Sequence, residues 1–343
     1  MAATIKLLFI SLAVLLAGHG LAQTLVPVYA KEIGWSDANI GMIGSAYFLG
    51  FVIGCLTVPK LLSRAGHIRV FLTLASITAA SILLLKDLQH AAAWIGLRML
   101  SGWCLAAIYT TAESWINENA ENTQRGKLIS IYVLVSLVGM ASGQMIFGLL
   151  DLEHLFALSV LLILFALVPI GLFCDDQPMA LEGKTIRMRS LRKVPGLARA
   201  GMFVSGVVTG SIWAMTPLII GASRLDISSS GMIMMTVILG GAAFQVPVGI
   251  AADRIGRRPV TRVVVVSCLA ISMVGLFIPF NNILQLAVIM FLLGGTSLSL
   301  YTLASAEAND RTDGTGSPTK SGINRLPRTC TNDFFPALVS GRP

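Results

Sequence analysis

The chain has 343 residues, of which 55% are hydrophobic and 12% charged, with 25 Lys and Arg against 17 Asp and Glu. Water-soluble domains carry about 25% charged residues, so this composition excludes a soluble enzyme, a disordered protein and a nucleic-acid binder. Apolar residues run through most of the length, which excludes a single-span receptor and leaves a polytopic membrane protein.

A spanning helix needs about 20 apolar residues, because the hydrocarbon core is ~30 Å thick. Ten stretches meet that length: 5–30, 38–62, 69–86, 91–113, 127–150, 155–174, 200–223, 229–251, 262–280 and 284–304. They lack the short alternating pattern of a membrane barrel, so helices are expected. The first stretch carries Lys6 and a small-residue Gly20-Leu21-Ala22 site like that of a cleaved signal peptide. Its apolar character continues to Val28, which favours a retained span.

Lys and Arg fall on one side. Lys6, Lys60, Arg64, Arg69, Arg125, Lys127, the six basic residues from Lys184 to Arg199, and Arg254, Arg257, Arg258 and Arg262 lie in alternate connections. The other connections hold Lys31, Lys86 and Arg224. The bias places the N-terminus in the cytoplasm and accounts for the net charge of +8 by topology and anionic lipid.

A polar connection, 175–199, separates a six-helix bundle at 1–174 from a four-helix partial bundle at 200–310. The two parts repeat: the Arg64-Ala-Gly66 and Arg254-Ile-Gly256 turns lie 190 residues apart. After Asp310 the chain turns rich in Gly, Pro, Ser and Thr, and 311–343 is expected to be a disordered, non-membrane tail. The repeat offset calls for two more helices there, so a truncation or frameshift near Arg311 is expected.

Cys55, Cys104, Cys174, Cys268 and Cys330 are scattered singly, without a CxxC or Cys/His cluster, so no metal, disulfide framework or cofactor is expected. No Gly-x-Ser-x-Gly, HExxH or P-loop is present, so an enzyme is not expected either.

The segment Gly249-x-x-x-Asp253-Arg254-x-Gly256-Arg257-Arg258 resembles the loop signature of the major facilitator superfamily (MFS). Its first-half copy carries Pro59 and Ser63 in place of the Gly and Asp. Arg98-Met-Leu-Ser-Gly102 resembles the family's Arg-x-x-Gln-Gly pattern, with Ser101 for Gln. Gly139-x-x-x-Gly143-Gln144-x-x-x-Gly148 is similar to its antiporter signature, with Gln144 where Pro would stand; small residues four apart also simply permit close helix packing.

The resemblance implies an all-α, two-bundle membrane fold of about ten transmembrane helices, with helices 11 and 12 missing. It implies a secondary active transporter moving a small solute by alternating access, with proton coupling, in the bacterial inner membrane. The partners would be a small-molecule substrate, protons and the lipid bilayer, with no nucleic acid. A non-transporting remnant or scaffold is the competing reading, because the second bundle is incomplete.

Polar residues inside spans are the site candidates, since they are costly in lipid. His19 and Gln23, spaced i, i+4, share one face; Arg98 stands ~10 Å inside its helix. Glu113 is the intramembrane carboxylate, and Gln144 and Gln245 complete the expected substrate or ion pathway. Tyr47, Tyr109 and Trp213 either line a cavity or pack between helices. Gly249, Asp253, Arg254, Gly256, Arg257 and Arg258 form the expected cytoplasmic gate, in which an Asp and several Arg can lock and release two bundles.

Overall fold

The computed structural model describes residues 2–88, 90–119, 125–174, 196–222, 225–226, 229–278 and 282–313. Eleven helices lie there, with no strand among the described residues: α1 (Ala2–Glu32), α2 (Asp37–Ala65), α3 (His67–Asp87), α4 (Ala91–Asn119), α5 (Arg125–Ile146), α6 (Leu152–Phe165), α7 (Leu167–Phe173), α8 (Gly196–Ala222), α9 (Ser230–Ile255), α10 (Arg257–Phe277) and α11 (Ile283–Asp313). The sixth stretch is one apolar run broken at Ala166. Pro169 has no N–H to offer the Phe165 carbonyl, so the helix stops and restarts as α6 and α7.

Among the described residues, nine helical segments are long and apolar enough to cross a membrane, and Val204–Ile220 within α8 is a shorter apolar one. Their outward faces carry large apolar side chains. Leu276 and Phe277 are 77% and 79% exposed, an arrangement that water would penalise and lipid accepts. The last helix runs to Asp313, three residues into the expected tail; the rest of that tail, with Cys330, lies outside the described residues, as does most of the 175–199 connection.

By contact the chain forms two compact units. One comprises residues 1–185 with 213–234, and the other 186–212 with 235–343. In the first, α2 and α3 pack along α4, while α1 packs along α5 and α6. Small residues make this possible. A Cβ on Gly50 would overlap the Met99 carbonyl, and one on Gly102 the Tyr47 carbonyl, so α2 and α4 cross backbone to backbone. In the second unit, Ala252, Val260, Val264, Leu300 and Leu303 form a core joining α9, α10 and α11.

The internal repeat extends to backbone geometry. Gly66 (φ 79°, ψ 164°) joins α2 to α3, and Gly256 (φ 98°, ψ 148°) joins α9 to α10. A side chain disfavours that region of backbone space, so both turns require glycine. The helix crossing repeats as well: Gly240 faces the Phe291 carbonyl and Gly294 the Val237 carbonyl. Gly240 and Val237 follow Gly50 and Tyr47 by 190 residues, whereas Phe291 and Gly294 follow Met99 and Gly102 by 192. The connection before α4 has three residues and that before α11 has five, which accounts for the difference.

Candidate functional site

Four polar side chains from three helices of the first unit converge. From α4, Arg98 points inward and is 4% exposed; its Nη2 donates to Gln23 Oε1 of α1 at 2.6 Å. The guanidinium carbon lies 4.5 Å from the centre of the Tyr47 ring of α2, a cation–π contact. The Tyr47 hydroxyl in turn meets His19 Nε2 at 3.0 Å, and the two rings stack with centroids 5.7 Å apart. His19 and Gln23 share a face because they stand one turn apart on α1, as the sequence predicts. Tyr47, expected only as a cavity or packing residue, is the piece that joins His19 to Arg98.

Arg98 and Gln23 line a cavity of about 20 Å³, room for about one water. Val26, Ile40, Ile43, Phe48 and Trp213 supply much of its remaining wall. One proline lies in that wall, Pro27, and a second, Pro217, lies one turn beyond it. Pro27 in α1 and Pro217 in α8 stand four residues after Gln23 and Trp213, whose carbonyls therefore lack their usual helical N–H donor. A larger groove of about 790 Å³, between the end of α1 and residues 147–155, gathers no comparable buried charge.

The other sequence candidates go elsewhere. Gln144 is fully buried in α5, where its Oε1 accepts from Thr24 at 2.6 Å and its Nε2 donates to the Gly20 carbonyl at 2.7 Å. Both ends of that amide are engaged in an α1–α5 joint. Gly139 and Gly143 complete the joint, since Cβ atoms there would strike the Ala13 and Ala17 carbonyls. Glu113 is buried on α4, fifteen residues beyond Arg98 and so roughly 22 Å along the helix. Arg98 and Glu113 thus occupy two levels of one helix. Gln245 is buried in α9, and Tyr109 and Trp213 are buried as well.

Sequence reasoning missed a polar contact near Glu113. His67, the first residue of α3, lies 3.1 Å from Ser114 Oγ and 3.4 Å from Glu118 Oε1 on α4. His67 follows the Gly66 turn and Glu118 lies in the last turn of α4, so position at helix ends is the one signal that could have paired them. Thr24 and Ser159 were missed too; Ser159 Oγ donates to the Gly18 carbonyl at 2.8 Å.

In the 249–258 motif, Gly249 lies within α9, Asp253 and Arg254 are exposed on its last turn, Gly256 makes the turn, and Arg257 and Arg258 open α10. Arg254 suits the negative end of α9, but two arginines at the positive end of α10 oppose its dipole. Helix stability therefore does not explain that arginine pair.

The repeat offset exposes an asymmetry. The counterparts of His19, Gln23, Tyr47 and Arg98 are Thr209, Trp213, Val237 and Met290, all buried. The first half carries a cation where the second carries a thioether.

Comparison with known proteins agrees with the fold. A model of the Major Facilitator Superfamily matches residues 8–319. The chain is 28% identical over 314 residues to the uncharacterized MFS-type transporter YcaD of Salmonella arizonae, covering 90% of this chain and 81% of that one. It is also 28% identical over 303 residues to an uncharacterized MFS-type transporter of Yersinia enterocolitica, covering 84% of this chain and 75% of that one. Among solved structures, a mutant form of the nucleoside transporter NupG aligns with a TM-score of 0.73 at 12% identity, over 96% of this chain and 86% of that one. A D-xylose-proton symporter aligns at 0.65 and 14% identity, over 96% and 88% of the two chains.

Proposed function

The chain belongs to the Major Facilitator Superfamily and is a multi-pass membrane protein of a transporter family, and from that premise we propose a secondary active transporter that moves a small solute by alternating access, driven by protons. One observation carries the reading: a buried arginine, held by a neutral amide and an aromatic face, lines a cavity among membrane-spanning helices. A charge in such a place is costly and marks a solute or ion path.

In this reading Arg98, Gln23 and His19 lie on the solute path and Glu113 handles the proton at another level of α4. Asp253, Arg254, Arg257 and Arg258 gate the cytoplasmic side, where the N-terminus also lies. The D-xylose symporter of the same fold is proton-coupled, which supports the choice of ion. Gln144 drops out of the path because its amide is spent on α1.

The test is uptake into proteoliposomes of the whole chain, with labelled small neutral, anionic and cationic solutes and an imposed pH gradient. Accumulation abolished by a protonophore is expected for at least one solute. Glu113→Gln should lose gradient-driven accumulation while keeping solute exchange at zero gradient. Flux no greater than in protein-free vesicles for every solute would overturn the transport reading; accumulation insensitive to the protonophore would overturn the coupling.

A further inference from the structure

Resting on that reading of the Arg98 site, we infer that the solute is an organic monoanion, a carboxylate or sulfonate on an apolar body, whose negative charge neutralises Arg98. The starting point is charge balance. Arg98 is 4% exposed, and no ion pair to it exists among the described residues; its contacts are the neutral Gln23 amide and the Tyr47 ring. Its Nε, buried as well, has no hydrogen-bond partner. The helices that surround it bring no carboxylate near. On α1 the acid is Glu32, nine residues beyond Gln23, or about 13 Å by helix rise. On α2 it is Asp37, about 15 Å from Tyr47 along the helix and paired with Lys31. On α4 it is Glu113, a further level away, and residues 213–222 of α8 contain no acid.

Packing does not require the cation. The repeated half makes the same helix crossing, with the same glycine-to-carbonyl contacts, around Val237 and Met290. A bundle of this design therefore closes around apolar residues. A buried charge with no internal counterion is retained for something that comes from outside.

The site's chemistry narrows what that is. A guanidinium is a planar fork that matches a carboxylate or sulfonate in two parallel hydrogen bonds, and its free Nε can serve as one of the donors. One cation balances one negative charge, so a dianion would leave the site charged again. The rest of the wall is apolar and aromatic, with Val26, Ile40, Phe48 and Trp213 suited to a hydrocarbon or ring rather than to a hydroxyl-rich solute. At about 20 Å³ the cavity is smaller than such a body, so the wall opens to admit it. Pro27, in the wall itself, and Pro217, one helical turn after Trp213 of the wall, weaken the two helices where that opening is needed.

The experiment uses the whole chain in detergent at pH 8. Its melting temperature is measured against benzoate, benzenesulfonate and hexanoate, with benzamide, benzylamine and the dianion phthalate as controls. A saturable rise with the monoanions, at least tenfold weaker with benzamide and phthalate, is expected. Arg98→Gln should weaken monoanion binding at least tenfold and Arg98→Lys less, while Trp213→Leu should weaken benzoate more than hexanoate. Equal stabilisation by benzamide, no response to any monoanion, or binding unchanged in Arg98→Gln would overturn the inference; if the Arg98 variants do not fold, the Trp213→Leu ratio and the control ligands still decide. Benzenesulfonate uptake into proteoliposomes separates the two readings. Uptake of neutral or cationic solutes alone overturns the anion inference and leaves transport standing. Monoanion binding without flux of any solute does the reverse.

Discussion

Replacing Gln23 by leucine, of similar volume, removes the oxygen that accepts from Arg98 at 2.6 Å and leaves the cation with the Tyr47 face alone. A hydrogen bond to a charged group contributes about 1.5–3 kcal/mol, so Gln23→Leu should destabilise the chain by about 2 kcal/mol. Arg98→Met removes the same bond and the cation–π contact, but it also removes a charge whose burial costs several kcal/mol. Its net change should lie within about 1 kcal/mol of zero or favour the folded state. Once the charge is gone, the Gln23 oxygen is the group left without a partner. The double variant, with neither orphaned amide nor buried charge, should therefore recover most of the loss seen in Gln23→Leu. A coupling of about 1.5 kcal/mol or more between the two positions is expected, within the range for residues in direct contact. Thermal melting in detergent, read with a thiol-reactive dye on the buried Cys55, Cys104 and Cys268, measures all four proteins under one condition. A Gln23→Leu protein as stable as the parent, or a double variant whose loss equals the sum of the singles, would refute the claim that Arg98 is an uncompensated charge held by Gln23.

Three further outcomes follow from the geometry. Gly102→Ala drives a Cβ into the Tyr47 carbonyl and should cost about 1–3 kcal/mol in the same melting assay, whereas Gly96→Ala, with open space around it, should be close to neutral. Gln144→Leu breaks two α1–α5 bonds and should cost about 1–2 kcal/mol, because side-chain bonds between membrane helices average ~0.6 kcal/mol each; solute affinity should stay at the parent value, and a tenfold loss would put Gln144 back on the path. Asp253→Asn keeps the exposed turn before Gly256 and should insert and melt normally while uptake into proteoliposomes falls at least several-fold; near-parental uptake would remove Asp253 from the gate.

The sequence by itself determined what depends on neighbours along the chain. Ten apolar stretches set the class, since a span of ~20 residues must satisfy its own backbone bonds in lipid. The Gly66 and Gly256 turns were legible because a positive φ demands glycine. The His19–Gln23 pair was legible because one helical turn separates them. Even the two levels of Arg98 and Glu113 follow from fifteen residues of helix rise. Tertiary structure alone decided which faces meet. The convergence of Gln23, Tyr47 and Arg98 depends on how α1, α2 and α4 rotate about their axes, and that rotation is set by where glycines let backbones touch. The same ambiguity hid the role of Gln144: an amide in a span reads alike whether it faces a solute or a neighbouring helix. In the packed bundle its amide meets Thr24 and the Gly20 carbonyl of α1. A sequence shows that a polar group lies in the membrane. Only the packed bundle shows that the amide of Gln144 is engaged by α1, and that Arg98 is buried with no ion pair among the described residues.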